Sequence, residues 1–336
     1  MARNLMHLLT RNGVAPTLVS DLRSFDKQGD AAVQADLLAQ AQADIPALIA
    51  RGRVEGWALW VTYHSYYKAP DLLGPAVCAA LGIPYVSFEA TRASKRLGGP
   101  WDAFEKKAQA ACDAADVLFH FTQRDAVALR DHLKEGQQLV HLPPFLAQEA
   151  LPAPARSDAP TILVAGMMRK GDKLTSYSII AETLAHLTGD WQVEIAGDGP
   201  CRGEVEALMA PYGGRVRFLG QLDAAGMAIA YNRARVFLWP GVNEAFGMVY
   251  LEAQAHGVPV VSQDRPGVRD VVAPTGLGAD EAPETLAAAL LSVLNDGETH
   301  RQRAQGARDL VQRHHLLAAA RGTVWDVLNP LMKETL

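Results

Sequence analysis

The feature that most limits how this chain can fold is an alternation of short β-type runs with longer helical ones, interrupted once by proline. APTLVS (15–20), WALWVT (57–62), IPYVSFE (83–89), DVLFHF (116–121) and QLVHL (138–142) read as strands. Residues 30–51, 70–81 and 101–115 between them carry helical periodicity, and Thr122 is placed to cap a further helix. Strands that alternate with helices build βαβ units and a mainly parallel sheet. Residues 143–160, PPFLAQEALPAPARSDAP, then bring five prolines and little periodicity, which makes a stiff connection. The alternation resumes with TILVAG (161–166), WQVEIAG (191–197), RVRFLG (215–220), RVFLWP (235–240) and VPVVS (258–262), and from about 283 the chain reads as helical. This pattern predicts two doubly wound α/β domains, 1–145 and 161–315, joined by a linker at 146–160. A terminal helix at 316–336 follows, and a ligand cleft is expected between the domains, at the carboxyl ends of the strands.

Composition narrows the function. A chain of 336 residues is long enough to bury two cores, and a net charge of −5 argues against a nucleic-acid partner. Cys78, Cys112 and Cys201 lie far apart without metal or disulfide spacing and read as small buried residues, which fits a reducing, cytoplasmic setting. No apolar run reaches the roughly 18 residues of a membrane span. The opening MARNLMHLLTRNG does not read as a signal peptide, because Arg3, His7 and Arg11 interrupt its apolar positions. It reads as a helix stopped at Asn12-Gly13, either facing the core or touching the inner face of a membrane peripherally.

The stretch 240–262, PGVNEAFGMVYLEAQAHGVPVVS, carries the most chemistry. A strand ends at Pro240, a loop holds Asn243 and Glu244, and a helix starts near Gly247 and stops at Gly257. The backbone N–H groups of Phe246, Gly247 and Met248 at that helix start attract an anion or an oxygen-rich ligand. Glu244 and Glu252, eight apart, supply carboxylates to accept from the hydroxyls of such a ligand. Gly197-Asp198-Gly199-Pro200 is a tight turn at the end of another strand, a common binding position. Arg169, Lys170 and Lys173 follow the first strand of the second half and suit a diphosphate. Neither GxGxxG nor GxxxxGK[ST] is present, so no dinucleotide fingerprint or P-loop is indicated.

Strand–GDGP, then VRFLG, then strand–P-x3-EAFGMVYLEAQAHGVPVVS, in this order and spacing, resembles the retaining glycosyltransferases of the GT-B fold, family 4. Glu244 and Glu252 match that family's Glu-x7-Glu motif. The resemblance covers 161–330 throughout and the first half in layout. It implies two Rossmann-like domains and transfer of a sugar from a nucleotide-diphosphate donor with retention, without a metal cofactor. By position it implies that Glu252 holds the ribose. Glu244, Asn243 and the 246–248 amides would hold the donor sugar, with Gly197 and Asp198 close by. Arg169 and Lys173 would clamp the diphosphate, with Lys170 as the alternative. The acceptor, a growing cell-surface glycan, a lipid carrier or a small molecule, would bind the first domain. The other reading of the same resemblance is a non-catalytic subunit that holds a nucleotide sugar or a partner protein.

The chain departs from the family pattern in three places. The family opens with a strand and a Gly-rich loop before the first helix, so the resemblance implies either a true start about 20–30 residues upstream or a damaged form. Glu89 stands at the end of the IPYVSFE run, where many relatives have His, and Pro143-Pro144-Phe145 replaces Pro-Asn-Gly. Glu89 could bind a sugar hydroxyl or pair with Arg92, Lys95 or Arg96. His64 follows another first-half strand among Tyr63, Tyr66 and Tyr67, as an acceptor-side group or a structural one. Arg92, Lys95, Arg96, Lys106 and Lys107 are either a solvated face or a contact for a phosphate-bearing lipid acceptor.

Overall fold

A computed structural model describes residues 1–10 and 14–334, with side chains to 332. The expected helix stop at Asn12-Gly13 lies outside the described residues. The chain divides into two units, Met1–Pro143 with Ala320–Leu336, and Pro144–Ala319.

The first unit holds a four-stranded sheet in the order β1-β2-β3-β4, parallel throughout. Its strands are β1 (Trp60–Tyr63), β2 (Tyr85–Phe88), β3 (Val117–His120) and β4 (Gln138–His141). Around them lie α1 (Ala2–Thr10), α2 (Ala31–Glu55), α3 (Gly74–Leu81), α4 (Asp102–Ala114) and α5 (Gln123–Arg130). The helix starts follow local chemistry. Asp30 accepts from the Ala32 and Val33 amides at the head of α2, and Thr122 accepts from the Asp125 amide at the head of α5. The helix expected at 70–81 starts only at Gly74, because Asp71 Oδ1 takes the Leu73 and Gly74 amides at 2.9 and 2.8 Å. Leu5, Leu8 and Leu9 of α1 are buried, so the apolar side of that helix faces inward.

The strand expected at 15–20 does not form. Residues 14–30 are irregular, Pro16 supplies no donor, and Leu18 is 77 % exposed. Asp26 organises this segment instead: its carboxylate accepts from the amides of Gln28, Gly29 and Asp30 and from Gln34 Nε2.

The second unit holds a five-stranded parallel sheet in the order β7-β6-β5-β8-β9. Its strands are β5 (Thr161–Ala165), β6 (Gln192–Ala196), β7 (Val216–Gly220), β8 (Val236–Leu238) and β9 (Val260–Val261). Its helices are α6 (Asp172–Ala185), α7 (Arg202–Met209), α8 (Ala224–Arg233), α9 (Met248–Ala255), α10 (Pro283–Asn295) and α11 (Gly297–His314). The central β5 is buried along its whole length, as a parallel strand covered on both faces must be. The last helix, α12 (Leu317–Glu334), begins in this unit and continues into the first; it keeps Pro330 inside it, and Trp325 and Leu328 are buried.

The proline-rich stretch is not a free spacer. Leu146 N–H donates to His315 O (2.8 Å), Ala155 N–H donates to His256 O (2.7 Å), and the Arg308 guanidinium holds Pro152 O (3.0 Å). These bonds dock it along the second unit. All three cysteines are free and buried, and among the described residues no helix is long and apolar enough to cross a membrane.

Candidate functional site

In the second unit, parallel register brings the strand ends together. Ala165 pairs with Ala196, so Gly166 and Gly197 meet just beyond them. A Cβ on Gly197 (φ +140°) would lie 2.0 Å from Gly166 O, and one on Gly166 would lie 2.6 Å from the Trp239 ring. Only glycine fits at these two positions. Trp239, one residue past β8, thereby lies against the β5 end; it is fully buried and makes an edge contact with Tyr177 at 5.2 Å.

Three groups converge on that ring system. Lys173 enters from the first turn of α6, with its Nζ 5.0 Å from the Trp239 ring centroid. Glu244 comes from the loop after β8. Its Oε2 lies 2.5 Å from Lys173 Nζ and 3.1 Å from the donating indole Nε1 of Trp239. The loop is held by Val242 N–H donating to Ser176 Oγ and by Asn243 Nδ2 donating to Asp172 Oδ2. Asn243 takes a positive φ of 47°, a strained setting for a side-chain-bearing residue. From the other side, a Cβ on Gly267 would lie 2.1 Å from Ala245 O, so the backbone of that segment presses directly on the loop.

Gly247 (φ +63°) caps α9 with backbone alone, and a Cβ there would strike the Tyr250 ring at 2.7 Å. Tyr250 in turn donates to Trp239 O, which ties the start of α9 to the Glu244 platform. Phe246 and Met248 flank this glycine. Glu252 has a different partner: the Tyr231 hydroxyl donates to its Oε2 at 2.9 Å. Burial raises the Glu252 pKa, and the Tyr231 bond only partly offsets that.

Arg169 and Lys170 are exposed, and neither pairs with an acid among the described residues. Asp198 sits in the glycine turn, where Oδ1 accepts from Gly199 N–H and Oδ2 meets Arg202 at 3.3 Å, while Met168 N–H donates to its carbonyl. The three cations after β5 therefore separate into one committed to Glu244 and two free for a ligand.

In the first unit, register again makes a pair. Tyr63 lies opposite Phe88, so His64 and Glu89 are neighbours one step beyond the strands. Both have positive φ, 64° and 57°, and the three side-chain-bearing residues with positive φ are His64, Glu89 and Asn243 among the described residues. Strain at strand ends that carry polar side chains is a mark of a functional surface. His64 Nδ1 lies 3.3 Å from Glu89 Oε2, and that buried oxygen accepts no hydrogen bond. Burial and the Glu89 charge push the Tyr63 phenol up. The pairing considered for Glu89 with Arg92, Lys95 or Arg96 does not form, because Arg92 binds Asp113 and Arg96 lies over aromatic rings. Of the basic cluster, Lys106 is also neutralised, by Asp102.

Trp239, Tyr231, Asp172 and Gly267 are site residues that the sequence reading passed over. Trp239 and Asp172 adjoin motif residues, and Pro266-Gly267 is a turn signal.

Comparison with known proteins bears on this site. Residues 159–296 match the family described as glycosyl transferases group 1. A GDP-mannose-dependent alpha-mannosyltransferase of Mycolicibacterium smegmatis is 41 % identical over 93 residues, 27 % of this chain and 24 % of that one. A phosphatidyl-myo-inositol mannosyltransferase of Mycobacterium leprae is 39 % identical over 135 residues, 37 % of this chain and 34 % of that one. The matched stretches thus span about a quarter to a third of these relatives' length. Among solved structures, sucrose-phosphate synthase from Thermosynechococcus elongatus aligns over 99 % of this chain and 93 % of its own, with a TM-score of 0.70 at 21 % identity. The lipopolysaccharide outer core galactosyltransferase WaaB aligns over 91 % of this chain and 82 % of its own, with a TM-score of 0.65 at 18 % identity.

Proposed function

From a chain of GT-B glycosyltransferase fold, whose residues 159–296 match the glycosyl transferases group 1 family, we infer that the protein transfers a sugar from a nucleoside-diphosphate-sugar donor to a glycan, lipid-linked or small-molecule acceptor, with retention at the anomeric carbon. The observation that carries this reading is the Lys173–Glu244 ion pair on Trp239, at the carboxyl ends of β5 and β8 inside the matched region.

Each group then has a physical task. Arg169 and Lys170, unpaired, meet the diphosphate, and Lys173 joins them as a third cation. Fixed cations lower the energy of the charge that develops on the leaving diphosphate as the glycosidic C–O bond breaks, which is why no metal is required. Glu252 accepts from the ribose hydroxyls. Glu244, Asn243 and the backbone from Phe246 to Met248 hold the donor sugar, while Gly197 and Asp198 bound the site at the next strand. On the acceptor side, His64 and Glu89 orient the attacking hydroxyl. The new bond forms between that oxygen and the anomeric carbon on the face the diphosphate leaves, and the acceptor proton passes to a diphosphate oxygen. On this reading the reaction belongs to the cytoplasm or the inner face of the membrane, where nucleotide sugars would meet a growing cell-surface glycan.

The test is ligand-induced thermal stabilisation with UDP, GDP, ADP and their sugars, followed by transfer assays with the donor that binds. GDP-mannose is the first donor to try, because the Mycolicibacterium smegmatis relative is named for it. A ligand at 100 times its Kd stabilises by about 2.7 kcal/mol, a readily measured shift. One nucleotide series that stabilises the chain, together with turnover that Glu244→Ala abolishes, is the expected result. No shift with any of them on a cooperatively melting chain overturns the reading.

A further inference from the structure

In the first unit, two cations share two aromatic rings. Lys68 Nζ lies 5.6 Å from the Tyr67 ring centroid and 5.3 Å from that of Trp101. Arg96 Cζ lies 4.7 and 5.4 Å from the same two centroids. Neither cation pairs with an acid among the described residues, although Arg92 and Lys106 nearby both do. Arg96 Nε is buried without a hydrogen-bond acceptor, and one Arg96 amino group reaches only the Tyr67 hydroxyl, at 3.4 Å.

The arrangement is built rather than incidental. Tyr67 and Lys68 occupy the tip of a tight turn closed by two backbone bonds between Tyr66 and Ala69, at 3.3 and 2.9 Å. The Trp101 indole N–H donates to Asp26 O at 3.3 Å, and Tyr67 meets Trp101 edge-on at 5.5 Å. Both cations lie over the same two rings, and cation–π contacts at an accessible surface return only about 0.5–1 kcal/mol each. Each therefore keeps a charge that an anion would neutralise; a guanidinium meets a phosphate as a fork of donors and an ammonium meets it as a point charge.

The rings also lead back to the strained strand ends. Tyr66 meets Tyr67 at 5.6 Å and His64 at 4.6 Å. A continuous aromatic track therefore runs from His64 beside Glu89 to the cation pair. Aromatic rings cover the C–H face of a sugar, hydroxyl-binding groups suit one end of it, and cations suit an acidic group at the other.

We propose that Lys68, Arg96, Tyr67 and Trp101 bind the phosphate of a phosphorylated polyhydroxyl ring, whose hydroxyl end lies along Tyr66 toward His64. Binding itself is independent of catalysis. Only the assignment of the bound ring as the acceptor rests on the transfer reading. The phosphate belongs either to a free sugar phosphate or to a lipid headgroup.

The experiment compares binding of glucose, glucose 6-phosphate and inorganic phosphate to the full chain, by thermal shift and by Trp fluorescence. Sedimentation with phosphatidylcholine vesicles, with and without phosphatidylinositol, forms a parallel arm. The expected result is that a phosphorylated ring binds at least tenfold more tightly than glucose, that added salt weakens it, and that Lys68→Gln and Arg96→Gln each lower affinity about tenfold or more. Glucose 6-phosphate binding identifies a free sugar phosphate, and binding only to the phosphatidylinositol vesicles identifies a headgroup. Melting of each unliganded variant checks its fold, and Lys68→Gln, at the turn tip, keeps the test alive if Arg96→Gln unfolds. Binding of neither probe, or affinity unchanged in a folded variant, overturns the proposal. GDP and UDP binding to the same variants reads the transfer proposal separately: nucleotide binding without sugar-phosphate binding overturns only this inference, and the converse overturns only transfer.

Discussion

Lys173 Nζ and Glu244 Oε2 lie 2.5 Å apart, with the two side chains only 13 % and 15 % exposed, on the face of a fully buried Trp239. The two charges thus hold each other against the indole. Lys173→Met leaves Glu244 with only the indole as partner. The expected loss is about 2–3 kcal/mol, below the range for fully buried pairs because both side chains keep some water. The double variant Lys173→Met/Glu244→Gln should recover more than half of it, since no unpaired charge remains. Urea unfolding of the four-member cycle measures this, and additive losses would refute the coupling.

Arg169 is exposed and pairs with no acid among the described residues, and the proposed transfer gives it to the diphosphate. Arg169→Ala should weaken nucleoside diphosphate binding about tenfold or more while leaving the melting temperature of the free chain within a degree or two. Isothermal titration with the nucleoside diphosphate that stabilises the chain decides it. Unchanged affinity would remove Arg169 from the clamp and leave it to Lys170 and Lys173.

Gly267 supports the loop through backbone contact alone. With φ at +88° and a would-be Cβ 2.1 Å from Ala245 O, Gly267→Ala must push the Glu244–Ala245 backbone aside. The expected outcome is a loss of about 2–4 kcal/mol in stability, together with a fall in kcat larger than any rise in KM for the donor.

Glu252 titrates above its ordinary range because it is buried, with the Tyr231 hydroxyl pulling the other way. A carboxyl whose pKa is higher folded than unfolded holds its proton longer in the native state. Its contribution is therefore present in full below the unfolded pKa and is lost as pH rises through the folded one. Glu252→Gln should flatten that fall, so that the variant melts higher than the parent at pH 7 but not at pH 4. It should also bind nucleoside diphosphate more weakly, because the ribose hydroxyls lose a charged acceptor.

Asp26 behaves in the opposite sense. Burial alone would raise its pKa, but Gln34 and the amides of Gln28, Gly29 and Asp30 together bring it below the usual carboxylate range. Its stabilisation is present above the unfolded value and is lost as pH falls through the folded one. Asp26→Ala, which leaves those donors unmet, should cost about 2–3 kcal/mol at pH 7 and progressively less as the medium is acidified.

Local pattern accounts for much of the molecule. Nine of the ten expected strand runs contain a strand, because β-branched and aromatic runs between helical periods admit no other element. The tenth, 15–20, forms no strand: Pro16 lacks a donor for a ladder, and Leu18 is left exposed. Glu244, Lys173, Gly197 and Gly247 were legible because a loop after a strand and a helix start are local features. Trp239 was not, since its role depends on the β5–β8 register that presses it against Gly166.

What the sequence by itself determined is therefore most of the elements, their parallel pairing and the chemistry available at the strand ends. Tertiary structure alone decided which of those groups meet. Parallel register placed His64 beside Glu89, and the β5–β8 pairing with the docked start of α6 gave Lys173 to Glu244 while leaving Arg169 and Lys170 unpaired. The same folding gathered Lys68 and Arg96 on two shared rings from turns 28 residues apart. The physical reason is range: helix and strand patterning acts over a few residues, whereas ion pairing and aromatic contact act between atoms that only the closed sheet and its packed loops bring within a few ångströms.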